Sequence, residues 1–131
     1  MGVRLIRISS RATGERRTVR VYVYTDLAEM RAAASGFRGQ DHSDSLGVTH
    51  AYVDDDGRVT VPIIRLWVGA LSAIIVSHEI AHAALAIFGS TLPKRIATAK
   101  HLHNANETHA HLHSDLESSL IRMLYAHGYF E

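Results

Sequence analysis

The chain has 131 residues, 47% of them hydrophobic and 21% charged, which is enough for one domain around one core. Fourteen Lys and Arg against 13 Asp and Glu leave a formal charge of +1, so no basic field supports nucleic-acid binding. The absence of cysteine excludes disulfides and thiolate metal sites, so any metal falls to the ten histidines or to Asp and Glu.

The first residues, Met1-Gly-Val-Arg-Leu-Ile-Arg-Ile, alternate like a strand and do not read as a signal peptide. Strands are expected at 3–8 and 18–24, the second with Val19, Val21 and Val23 on one face, joined by a hairpin loop at 9–16. Asp26 is placed to cap a short helix at 27–34, closed by Gly36. Residues 37–45 are polar and glycine-containing, and read as a loop. Strands at 48–53 and 58–64 flank Asp54-Asp55-Asp56-Gly57, whose Asp-Gly pair signals a tight hairpin. Three acids there suggest calcium, but the alternating ligands and distant glutamate of an EF-hand loop are missing. The longest apolar run, 66–76, follows Arg65 and is too short to span a bilayer. A soluble cytoplasmic protein is the expectation. With strands grouped before helices, the expected architecture is α+β: one domain over 1–131, with a small antiparallel-rich sheet packed on two main helices.

The first of those helices carries His78-Glu79-Ile80-Ala81-His82, a His-Glu-x-x-His pattern. Ser72 is placed to cap it and Gly89 to end it. Histidines four apart lie one turn apart on one face, so both imidazoles can reach a single zinc ion, and the glutamate between them can take a proton from water. Leu71, Ile74, Ile75, His78, His82, Leu85 and Ala86 recur at helical spacing, and this stripe is expected to face inward. The plain alternative, a pair of hydrogen-bonded core histidines, buries two imidazoles and a carboxylate within one turn at considerable cost.

Zinc in a hydrolase takes three protein ligands and keeps a fourth position for water. A third histidine six residues on is ruled out, because Leu85 and Phe88 occupy the Gly and His positions of that pattern. Residues 90–103 read as a connector containing Pro93. From 104 onward a second helix is expected, with Leu112, Leu116, Leu120, Met123 and Leu124 on its apolar face. Glu107, near its start, is the leading candidate for the third ligand. Glu117 lies deeper and is expected to be solvated. His101, His103, His109, His111 and His113 compete, but positions two apart rotate by about 200°, so at most one or two can approach one ion.

His78-Glu79-x-x-His82 followed by Asn106-Glu107-x-x-Ala110 resembles the small gluzincin-type zinc metallopeptidases, including compact versions carried by phages and prophages. The resemblance covers mainly 66–127. It implies zinc held by His78, His82 and Glu107, with Glu79 as general base. It also implies an extended peptide substrate laid along a sheet edge strand, which 59–68 would supply. One departure is His111, four residues after Glu107, where larger gluzincins often carry an aspartate that orients a zinc histidine. Asp115 or backbone carbonyls are left for that support. The mechanism that follows is hydrolysis by a water whose pKa the metal brings to about 7. Glu79 takes its proton and passes it to the departing amine. His127, Tyr125, Tyr129 and His109 are candidate oxyanion donors. Other readings are a non-catalytic zinc or nickel module using the histidine-rich 101–113 segment, and a pseudo-peptidase that binds a protein partner. Glu79 speaks against metal storage, which needs no base between its ligands.

Overall fold

Among the described residues, a four-stranded mixed sheet lies between one helix on one face and two on the other. The computed structural model describes residues 2–52, 59–91 and 99–130, with 99–105 by backbone alone. In chain order these form β1 (Val3–Ser10), β2 (Arg17–Tyr24), α1 (Leu27–Arg38), β3 (Gly47–His50), β4 (Ile63–Trp67), a 3-10 turn (Val68–Ala70), α2 (Ala73–Gly89) and α3 (Ala99–Ala126). The fold is α+β, as the grouping of strands and helices predicts. No helix among the described residues is long and apolar enough to cross a membrane.

The spatial order is β1-β2-β4-β3. β1 and β2 form the expected hairpin, antiparallel from Val3↔Tyr24 to Ser10↔Arg17. β4 then pairs parallel to β2 and antiparallel to β3. The expected edge strand at 59–68 is therefore corrected. Its core, β4, is paired on both sides, and among the described residues the free edge beside α2 belongs to β3. Pairing between the two segments continues past β3, where Thr60 N donates to Tyr52 O at 2.7 Å. The expected turn at 54–57 lies outside the described residues.

Alternation along the strands sorts side chains into two layers. Ile6, Ile8, Val19, Val21, Val23, Ile64 and Leu66 join Val76, Ile80, Ala83, Ala84 and Ile87 of α2 and Leu112, Leu116, Leu120 and Leu124 of α3 in one buried core. Ala83 and Ala84 keep α2 thin where the α3 leucines pack, so a Leu116→Ala change removes volume that α2 cannot refill, at about 2–5 kcal/mol. The opposite sheet face carries Tyr24, Val48, His50 and Arg65, all buried, on the side where α1 buries Met30 and Ala34.

Asp26 caps α1 as expected, accepting from Ala28 N at 3.0 Å, but the helix runs through Gly36 and ends at Gly39, whose φ of 71° suits a left-handed stop. Ser72 caps α2, accepting from Ile75 N at 3.2 Å. The inward stripe on α2 is corrected: Ile74 is 81% and Leu85 62% exposed, and His78 and His82 lie on the same outer face. The cause is composition. Between 73 and 89 the only polar side chains are Ser77, His78, Glu79 and His82, so hydrophobic spacing marks no single face. The second helix begins at Ala99, five residues earlier than expected.

Candidate metal centre

His78 and His82 meet on the outer face of α2. Their Nε2 atoms are 3.2 Å apart and their rings are edge to face, with centroids 4.7 Å apart. Two nitrogens bound at about 2.0–2.1 Å to one tetrahedral ion stand roughly 3.3 Å from each other. The pair therefore fits a shared zinc ion.

Glu79 sits between them in sequence but turns the other way, with its side chain 6% exposed. A buried carboxylate needs partners. Thr49 of β3 supplies one: its hydroxyl donates to Glu79 Oε1 at 2.7 Å and lies 3.1 Å from the Glu79 carbonyl oxygen. The other carboxylate oxygen, Oε2, is 4.0 Å from His78 Nε2. Gly47 makes room for it, since a Cβ there would stand 3.2 Å from Glu79 Oε2 and 3.3 Å from Ile75 Cγ2. His42, Ser45, Gly47, Val48, Thr49, His78, Glu79 and His82 line an open hollow of about 240 Å³.

The far side of the sheet pins this edge strand. Neighbouring residues on a strand point to opposite faces, so Thr49 faces α2 while His50 faces the α1 layer. Arg65 of β4 donates from Nε to His50 Nε2 at 3.1 Å and from Nη1 to the Tyr24 hydroxyl. Burial, then the adjacent Arg65 guanidinium and His42, push the His50 pKa down to about 4. His50 is thus a neutral acceptor at ordinary pH. His42 stands edge-on to it at 5.6 Å, with Nδ1 3.5 Å from Ser45 Oγ and a buried Nε2 that has no partner among the described residues.

Among the described residues, no three His, Asp or Glu side chains gather into a metal-binding group. His109 packs on Phe88 at 5.2 Å, while Glu117 borders a hollow with His78, so α3 runs antiparallel to α2. Glu107 then falls beyond Phe88, which is six residues or roughly 9 Å along the axis from His82. Its side chain is 62% exposed, 3.9 Å from His111 Nε2. The structure does not bring Glu107 to the histidine pair. Glu117, expected to be solvated, is instead only 29% exposed, beside Ser77, His78 and Ala81, with His113 Nδ1 3.5 Å from its Oε2. The side chains of His101 and His103 lie outside the described residues.

The other expected participants stand elsewhere. Asp115 accepts from Ser10 Oγ at 2.6 Å on β1, which removes it as support for a zinc histidine. The Tyr129 hydroxyl pairs with Arg4 Nε at 3.3 Å, Tyr125 packs on Phe130, and His127 is exposed at the end of α3. None of these, nor His109, lines the hollow around Glu79. His42 and Thr49 do, and sequence reasoning missed both. Each lies at least 30 positions from Glu79, and nothing local to either marks it. No protein-family model matches the chain, and neither a curated protein nor a solved structure matches it.

Proposed function

We propose that the chain is a zinc-dependent peptidase of the gluzincin type. The observation that carries this reading is the pairing of His78 and His82 at a zinc-ligand separation beside a buried carboxylate held by Thr49. His78 and His82 would hold the ion with a carboxylate from α3. The Asn106-Glu107-x-x-Ala110 pattern names Glu107 for that place, and the helix register favours Glu117. When bound, zinc supplies Lewis acidity, acidifying water and polarising a carbonyl.

The protein's own groups do the rest. The Thr49 hydroxyl fixes Oε1 of Glu79, which leaves Oε2 on the His78 side of the hollow to accept a proton from water. Glu79 then returns that proton to the amine nitrogen as the peptide bond breaks. The edge of β3, free among the described residues, lies alongside, suited to pairing with the backbone of an extended peptide.

The test is a comparison of the wild type with Glu79→Gln. Both should bind one zinc per chain by elemental analysis, and only the wild type should cleave peptides, with a loss of at least about a hundredfold in the variant. Equal cleavage by the two removes Glu79 from the base role. No stoichiometric zinc after reconstitution overturns the metal centre. Zinc without cleavage by either leaves a metal-binding module.

A further inference from the structure

We propose that the open face of the β1–β2 hairpin binds single-stranded nucleic acid, independently of the metal centre. The formal charge of +1 averages over a segregated chain. Residues 1–25 hold six arginines, Arg4, Arg7, Arg11, Arg16, Arg17 and Arg20, against one acid, Glu15. Of the 14 basic and 13 acidic side chains, that leaves eight and 12 for the rest, a net charge of the opposite sign. Glu15 is already partnered, 2.8 Å from Arg17 Nη2. The local field is therefore strongly positive, and it is built from arginine alone, whose planar fork matches phosphate.

Strand alternation decides where these cations stand. Ile6, Ile8, Val19 and Val21 pack against α2 and α3, so Leu5, Arg7, Ser9, Thr18, Arg20 and Tyr22 share the opposite face. α1 packs on that face over β4 and β2, yet Arg7 and Arg20 remain exposed. The two stand directly opposite each other in the antiparallel register. Like charges so placed, with Cβ atoms about 5 Å apart, repel. Among the described residues, no carboxylate lies within ion-pairing reach of either. Two unneutralised forks at that spacing suit one phosphate between them. Next along the ladder, Ser9 opposite Thr18 adds two hydroxyls. The exposed Arg11 and Arg16 follow, four residues or about 13 Å from Arg7 and Arg20. In the other direction Leu5 faces Tyr22, whose ring centroid lies 5.3 Å from the Arg65 guanidinium. A track of phosphate donors ending at an aromatic ring is how sheet faces hold single strands, the ring stacking on a base. An acidic polypeptide answers the charge alone, and a duplex keeps its bases stacked on one another. A single strand answers both the charge and the ring.

The experiment is fluorescence anisotropy of short labelled single-stranded oligonucleotides, DNA and RNA, titrated with the full chain over a range of salt. The wild type should bind at least one of them, with log Kd rising linearly with log salt. Arg7→Gln with Arg20→Gln should weaken binding at least about tenfold and lower the salt slope by about 0.7, one phosphate contact on a single strand. The melting temperature of that variant should not fall, because a repulsion has been removed. Tyr22→Ala should weaken binding about five- to hundredfold and leave the slope alone, since stacking releases no counterion, and Tyr22→Phe should keep the wild-type affinity. Arg4→Gln with Arg122→Gln removes the same charge from the α3 side of the fold and should change binding far less. Neither oligonucleotide binding, or poly-glutamate or a duplex binding as tightly, overturns the assignment. So does an equal loss in the Arg4/Arg122 and Arg7/Arg20 variants, which would reduce the effect to overall charge.

Discussion

Thr49 and Glu79 tie an edge strand to the metal-motif helix through a single hydroxyl, 2.7 Å from the carboxylate and 3.1 Å from the same residue's carbonyl oxygen. Thr49→Val preserves shape and removes the donor. Leaving a buried acceptor without its partner costs about 1–3 kcal/mol, so the melting temperature should fall while zinc content holds. Cleavage should drop more than tenfold, because the carboxylate loses its orientation. Unchanged activity in Thr49→Val would show that Glu79 is positioned by other means.

The proposed metal ligands are separable by chelator competition. His78→Ala or His82→Ala should release the tight zinc and remove the stabilisation it confers, about 4 kcal/mol when free zinc is a thousandfold above Kd. Of the two α3 carboxylates, Glu117→Ala should weaken zinc more than Glu107→Ala. The opposite order would return the third ligand to Glu107 and require α3 to shift along α2 when metal binds. Replacing His101, His103 and His113 together by Asn should leave the tight zinc in place.

Gly47 is held to glycine by contact, since its conformation needs no positive φ. Gly47→Ala puts a methyl 3.2 Å from Glu79 Oε2 and 3.3 Å from Ile75 Cγ2, so one of them must yield. Activity should fall with zinc affinity unchanged. A fully active Gly47→Ala protein would mean that the carboxylate does not need its present place.

His50 sets a pH limit on the fold. Its folded pKa of about 4 lies below the ordinary 6.5, so the unfolded chain binds the extra proton between those values. The stability that neutral His50 contributes is complete above pH 6.5 and is lost as pH falls towards 4, up to about 3 kcal/mol. Denaturant titrations of metal-free protein should show this slope, and His50→Gln, which keeps an acceptor for Arg65, should flatten it. The same slope in the variant would assign it to other groups.

What the sequence made legible follows from range. Asp26 and Ser72 cap the helices they precede, and the alternation of Val19, Val21 and Val23 finds the core face, because each signal acts over a few residues. Gly36 misled because a glycine inside a helix and one that ends it look alike until φ is known. The outer face of α2 was illegible because apolar residues surround the helix. The interior place of β4 depends on parallel pairing with β2, some 40 residues away, which no local pattern announces. In the candidate site, His78, Glu79 and His82 were plain from one motif. Thr49, His42 and Glu117 come from other elements and needed the fold.

β4 is hydrogen-bonded on both flanks and runs through one short turn into α2, so the histidine pair is anchored to an interior strand of the sheet. β3, which carries Thr49 and Gly47, is four residues long and, among the described residues, is paired on one flank. The two halves of the site therefore belong to units of unequal opening free energy. Amide exchange should be slow in β4 and early in β3. On warming, the protein should lose its grip on Glu79, and with it any peptide cleavage, at temperatures where added zinc remains bound and the core is still folded.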